Sequence, residues 1–249
     1  MAYLQVEGLS FAYEKGREVL RDINFSVEKG RCVCIAGANG SGKSTLLELI
    51  ASCMKPSCGA VWIDGNSVFA EEGAQRTGIV FQEPDNQFFM PTVWEDVAFG
   101  VMKQGIAPER GKELAMAALE LVDAGHIAER PPYALSGGEK QRAAIASILV
   151  MEREILLLDE PTAALDPRSR KNTIALLKAL DCTRIIASHD LDMALDLADE
   201  IIFLHEGKIA AQSEAPGLLL DESFLRNIGL ELPLGVCCAS RTKPLKIDD

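Results

Sequence analysis

Gly37-Ala38-Asn39-Gly40-Ser41-Gly42-Lys43-Ser44 follows the strand-like run Arg31 to Ala36 and leads into Thr45-Leu46-Leu47. The spacing G-x-x-x-x-G-K-[ST], set between an apolar strand and a helix, is the context in which a loop wraps phosphate groups. Backbone N–H groups of Gly40 to Ser44 are expected to face phosphate oxygens, Lys43 to reach the β- and γ-phosphates, and the Ser44 hydroxyl to ligate Mg²⁺. A glycine turn that contains Lys-Ser by chance is the competing reading. Such a turn needs neither the strand before it nor the helix after it.

Upstream, Tyr3-Leu4-Gln5-Val6-Glu7, Leu9 to Tyr13 and Val19 to Val27 have period-two character, punctuated by Gly16 and Gly30. That pattern predicts a small antiparallel layer. Downstream, the spacing predicts a helix from Ser44 to about Met54, a strand and turn at Val61-Trp62-Ile63-Asp64-Gly65, and a short strand Ile79-Val80-Phe81 ending at Gln82. Residues from about 87 to 150 read as helical. Thr92 and Glu95 have capping-box spacing, and Pro108 opens a helix expected to bury Leu114, Ala117, Ala118, Leu121 and Val122 on one face before Gly125. Strands return at Ile155–Leu158, Arg184–Ala187 and Ile201–Leu204, with helices Pro167–Leu180 and Asp190–Ala198 between them. This alternation implies an α/β fold with a mostly parallel sheet and helices on both faces. The expected organisation is one domain over residues 1–230, with a helical subdomain at about 87–150 inserted in it. A short polar tail, 231–249, is expected to be poorly ordered.

Several residues fall on one edge of that sheet. Asp159 ends an apolar strand, where it is expected to hold Mg²⁺, and Glu160 beside it is placed to polarise an attacking water. Gln82 and His189 end two other strands, at the carboxyl edge where doubly wound sheets receive their ligands. Taken singly, each has a structural reading: acids at a strand end, a lone His or Gln. The rigid turn Pro161-Thr162-Ala163-Ala164-Leu165-Asp166 adds a further acid at once. Leu135-Ser136-Gly137-Gly138-Glu139 has the S-x-x-E spacing of a capping box and two glycines that let an anion approach the backbone. Alone it reads as an ordinary capped helix.

The 249 residues carry 48% hydrophobic and 25% charged residues, the balance of a globular protein with a sizeable core. A formal net charge of −12 argues against a nucleic-acid surface and gives no support for direct binding to anionic lipid. No apolar run approaches the roughly 18–20 residues that span a bilayer, and Met1 to Glu7 lacks the features of a signal peptide. A cytoplasmic chain is expected. Of the seven cysteines, Cys32 and Cys34 alternate within a strand and read as small core residues of a reduced protein. The vicinal Cys237-Cys238 reads as a tail without special chemistry, with soft-metal binding or oxidation as the alternative.

In this order and spacing the motifs resemble those of the ATP-binding subunits of ABC transporters, over roughly residues 3–230. The resemblance implies a P-loop NTPase core of the ABC ATPase type that uses ATP and Mg²⁺. It implies that Tyr13 stacks on adenine and that Gly37, Asn39, Gly40, Ser41, Gly42, Lys43, Ser44 and Thr45 hold the phosphates. Ser44, Gln82 and Asp159 would attend Mg²⁺; Glu160, with His189, Gln82 and Lys43, would carry hydrolysis; Asp166 would be the acid of the D-loop. Ser136 and Gly138 would serve the ATP of a second subunit, in a homodimer or a heterodimer. Glu139 departs from the Gln more frequent in the family.

Phe81-Gln82-Glu83-Pro84-Asp85-Asn86-Gln87, followed by Pro91 to Gly100, is similar to the ATPases of energy-coupling factor transporters, including cobalt and nickel importers. That likeness implies a transmembrane coupling component as partner, contact with the inner face of the membrane only through it, and import of a metal ion or a vitamin. Asp85 or Glu83 is expected to meet a basic residue of that component, unless the turn is simply solvated. An ATP-gated clamp on DNA or ribosomes is the competing reading. Such proteins show long coiled-coil insertions, tandem cassettes or basic surfaces, unlike this chain.

Overall fold

The structure, a computed structural model, describes residues 2–14, 16–70, 73 and 75–236; Cys237, Cys238 and most of the tail expected to be poorly ordered lie outside these residues. Two sheets organise the chain. The first has the order β2-β1-β4-β5, formed by β1 (Ala2–Glu14), β2 (Arg17–Glu28), β4 (Cys58–Ile63) and β5 (Asn66–Ser67), with every pairing antiparallel. Its inward face follows from cross-strand apolar pairs: Val6 opposite Phe25 and Val61, Leu9 opposite Ile23, and Phe11 opposite Leu20. The expected antiparallel layer is therefore present. It also recruits β4.

The second sheet has the order β10-β9-β3-β8-β7-β6. Its members are β3 (Cys32–Ala36), β6 (Thr77–Val80), β7 (Ile155–Asp159), β8 (Thr183–Ser188), β9 (Glu200–His205) and β10 (Lys208–Glu214). All pairings are parallel except that of β10 on β9, an edge strand the hydrophobic pattern did not announce. Alternate residues of the buried strands serve different cores. Val33 and Ile35 face the antiparallel sheet together with Leu46, Leu49 and Ile50 of helix α1 (Lys43–Ile50), so that this helix lies between the two sheets. Cys32 faces the helical layer, and Cys34 packs with Ile201 and Phe203 under the C-terminal helices. Both cysteines are buried, and burial raises the Cys32 thiol to about 11.

Helices α2 (Val93–Lys103), α3 (Pro108–Leu121) and α4 (Gly137–Leu149) form the expected helical layer, packed through Val97, Leu119, Ile145 and Leu156. The Thr92–Glu95 cap is present, Glu95 Oε2 accepting from Thr92 N at 3.0 Å and from its hydroxyl at 2.6 Å. Two expectations need correction. Helix α1 ends at Ile50, not near Met54. On α3 the buried face is Gly111, Ala115, Ala118 and Leu119, while Ala117 is exposed and Leu121 is 71% exposed. Ala118 and Val122 of the expected face are buried and Leu114 is half-buried, but Ala115 and Leu119 are buried in place of Ala117 and Leu121, because α3 packs on both α2 and α4. Helices α5 (Pro167–Ala179), α6 (Leu191–Leu197) and α7 (Glu222–Asn227) complete the fold.

Candidate active site

The carboxyl ends of β3, β6, β7 and β8 meet at one edge, with Ala36 registered against Ser188 and Asp159 against Ala187. There Tyr13, Asn39, Gly40, Gly42, Lys43, Ser44, Thr45, Gln82 and Glu160 line a cleft of about 410 Å³. Loop geometry depends on two glycines. Gly42 stands at φ +106°, immediately before α1, and a Cβ there would lie 2.7 Å from Leu20 Cδ2. A Cβ on Gly37 would lie 2.4 Å from the Leu204 carbonyl oxygen at the end of β9. Lys43 is buried, its Nζ donating to the carbonyls of Gly37 at 2.8 Å and Ala38 at 3.2 Å. Ser41, within the loop, is buried. Tyr13 is 61% exposed at the rim, and its hydroxyl lies 3.0 Å from Thr45 Oγ1.

Glu160 has φ +46°, a left-handed conformation rare for a residue with a Cβ and costing roughly 1–3 kcal/mol. Surrounding contacts hold it there. Its N–H donates to Ala187 O at 2.9 Å; Oε2 accepts from Ser188 Oγ at 2.8 Å; Oε1 accepts from His189 N at 3.0 Å and lies 2.8 Å from His189 Nδ1. Lys43 Nζ is 3.7 Å from the same oxygen. A buried carboxylate is thus held next to the glycine loop by groups from β8, the residue after it and α1.

Asp159 is also buried, and its Oδ1 has no hydrogen-bond partner. Burial, together with the charge of Glu160, raises its pKa, against the opposing hydrogen bond from Ser44. An orphaned carboxylate oxygen beside a hydroxyl is a hard-oxygen donor set, which fits Mg²⁺. Among the described residues no cluster of three or more His, Cys, Asp or Glu side chains could hold a metal unaided. Ser44, Gln82 and Asp159 share a neighbouring groove with Glu48, whose pKa is raised by burial and by Asp159.

Ser136 and Gly138 do not line this cleft. Ser136 is the exposed N-cap of α4, and Gly138 packs so closely on α5 that a Cβ would lie 2.7 Å from Ser169 Oγ. Glu139 Oε2 accepts from Ser136 N and from its hydroxyl, both at 2.7 Å. The Asp166 carboxylate caps α5, accepting from Arg168 N at 3.0 Å and Ser169 N at 3.1 Å. These contacts give Asp166 a structural use that its position in the turn did not reveal. Asp85, 67% exposed, is ion-paired with Lys140 of α4, and Glu83 accepts from Asn86 at 2.9 Å.

The ABC transporter family profile matches residues 20–163, more than half of the chain. The chain belongs to the ABC transporter ATP-binding family. A protein of Geobacter sulfurreducens with the provisional name of an ABC transporter ATP-binding protein is 42% identical over 236 residues, 94% of this chain and 95% of its own. The energy-coupling factor transporter ATP-binding protein EcfA of Methanosphaera stadtmanae is 40% identical, covering 92% of this chain and 86% of that one. Among solved structures, cbiO1 from Clostridium perfringens, part of the ABC transporter complex cbiONQ, matches with a TM-score of 0.80 and 34% identity over 96% of this chain and 99% of that one. A dimeric post-hydrolysis state of an ATP-binding cassette bound to ADP and Pi matches at TM-score 0.78 and 28% identity, over 86% and 99% of the two chains.

This ABC ATPase is therefore an ATP-binding, ATP-hydrolysing subunit of a transporter. Among its described residues no helix is long and apolar enough to cross a membrane. Sequence reasoning missed Ser188, which holds Glu160 but looks like any small residue at a strand end. It also missed the pair in which Arg170 Nε and Nη2 donate to Asp190 at 2.9 and 3.0 Å, fastening α5 to the segment after His189. The signal available was only an Arg in the first turn of α5 and an acid after His189.

Proposed function

We propose that the chain powers an energy-coupling factor-type importer of a metal ion, cobalt or nickel in class, or of a vitamin. Residues 1–230 form the ATPase domain with its helical subdomain at about 87–150, and 231–249 a tail. Support comes from the EcfA relatives, from the likeness to cbiO1, and from the Phe81–Gln87 wording. Two ATPase subunits, identical or not, join a transmembrane component and stand on the cytoplasmic face of the membrane through it. That component docks in the groove of Glu48, Glu83 and Phe89 with a basic, partly apolar segment.

Tyr13 stacks on adenine, and Gly37, Asn39, Gly40, Ser41, Gly42, Lys43 and Thr45 hold the phosphates. Ser44, Gln82 and Asp159 would hold Mg²⁺, which neutralises charge developing on the phosphates. Glu160 orients and deprotonates the attacking water, and His189 positions Glu160 and the γ-phosphate. Ser136 and Gly138 reach the triphosphate of the second subunit, and Asp166 fixes the turn that lies between the two. The observation that carries this reading is Glu160: a strained, buried carboxylate held by Ser188 and His189 within 3.7 Å of Lys43. Glu160→Gln is expected to retain ATP binding and to lower hydrolysis by about 10²–10⁴-fold. Hydrolysis at the original rate by the purified variant overturns the assignment. Isolation from native membranes through a tag on this chain tests the transporter reading, which fails if no integral membrane protein accompanies it.

A further inference from the structure

In this chain a carboxylate lies within hydrogen-bonding reach of the Ser136 hydroxyl. Glu139 is 16% exposed, and its Oε2 draws the hydroxyl proton of Ser136 toward itself at 2.7 Å. A phosphate approaching Ser136 from a second subunit therefore meets an anion and a hydroxyl already engaged. Like charges brought together in this way cost affinity unless a cation intervenes.

The structure supplies one. Arg130 Nη1 donates to Glu139 Oε1 at 2.9 Å, while its Nη2 donates to the Ala134 carbonyl. The Arg130 backbone is pinned on both sides, its carbonyl accepting from Val93 N at 3.0 Å and its N–H donating to Ile127 O at 2.9 Å. The guanidinium, 43% exposed, is held by its bonds to Glu139 and to the Ala134 carbonyl. His126 Nε2 lies 3.7 Å from the same carboxylate oxygen on a side chain that is 61% exposed, a more distant partner.

We propose that Arg130 is a positioning residue of the shared ATP site: it draws the Glu139 charge onto itself, so that Ser136 can transfer its hydrogen bond from Glu139 to the incoming triphosphate. This rests on the reading that Ser136 serves the nucleotide of a second subunit. Arg130 touches no substrate and acts only through Glu139.

The test is a double-mutant cycle of Arg130→Met and Glu139→Gln, with Arg130→Lys as the conservative variant. Hydrolysis is measured against ATP concentration on the transporter complex isolated by a tag on this chain, and melting temperature monitors folding. Arg130→Met is expected to raise KM for ATP about tenfold, with a smaller change in kcat. In the Glu139→Gln background the same substitution changes KM by less than about twofold, and Arg130→Lys restores most of the loss. An equal cost in both backgrounds, or no cost in either, overturns the proposal. Ser136→Ala separates the two levels. If it hydrolyses ATP normally, the reading of Ser136 fails and the Arg130 proposal with it. If it is impaired while the cycle is additive, only the Arg130 proposal fails.

Discussion

The two ends of β7 are built on opposite principles. At its amino end Glu154 is saturated: it accepts from Arg76 Nε at 2.7 Å and Nη2 at 2.8 Å and from the Tyr3 hydroxyl, and Arg76 also donates to Ile63 O at 2.6 Å. Those contacts staple the antiparallel sheet to the parallel one. Five residues later, at its carboxyl end, Asp159 has an unpartnered oxygen and Glu160 sits at φ +46°. One end of the strand is a satisfied contact between the sheets, and the other holds an orphaned carboxylate oxygen and a strained backbone, the pattern of a functional site. A substitution at the amino end should therefore cost stability and spare turnover, and one at the carboxyl end should do the reverse.

The largest expected effect is at the carboxyl end. Asp159→Asn should lower hydrolysis by about 10²-fold or more, and should raise rather than lower the melting temperature, because a buried charge with a raised pKa is removed. A loss of both activity and stability would break the contrast. Next comes Arg76→Met. It removes the bidentate pair and the bond to Ile63, and should cost about 1–3 kcal/mol, roughly 2–4 °C in melting temperature for each kcal/mol. The ATPase rate at 25 °C should stay within about twofold; a collapse in rate would show that the staple also shapes the site.

The smallest effect concerns acid. Glu154 is lowered from 4.5 to about 2, foremost by its hydrogen bond with Arg76, against burial and with help from Tyr3. A carboxylate with a depressed folded pKa contributes stability that is complete above the unfolded value and disappears as pH falls through the folded one. Thermal melts of the original chain should therefore decline between about pH 4.5 and pH 2, and Glu154→Gln should flatten part of that slope. The side chain is 38% exposed, so solvent screening keeps the change modest. An unchanged acid slope in the variant would remove Glu154 from the account.

The legible part of the site was the part encoded by local chain geometry. Gly37 to Thr45 could be read because strand, glycine loop and helix are contiguous, and Asp159, Glu160 and His189 because each ends an apolar run. The α3 stripe was misplaced at Ala117 and Leu121, because two neighbouring helices, rather than one, select its buried face. Strand β10 went unread because its exposed and half-buried residues alternate on an edge, without a strong apolar run. The pair of Asp85 with Lys140 went unread because its members lie 55 residues apart in the chain.

By itself, the amino-acid sequence determined the glycine loop between strand and helix, the acidic strand end, the alternation that makes the sheet parallel and the resemblance to ABC ATPases. These are properties of neighbours in the chain, where periodicity and spacing act directly. Only the tertiary structure decided that Ser188 and His189 hold Glu160, that Leu204 and Leu20 close on Gly37 and Gly42, that Arg76 meets Glu154, and that Arg130 meets Glu139. Apart from the last, those contacts join segments far apart in the chain, and even Arg130 and Glu139 meet only through the turn between them. Their formation depends on how the sheets and helices pack, which no local pattern of residues specifies.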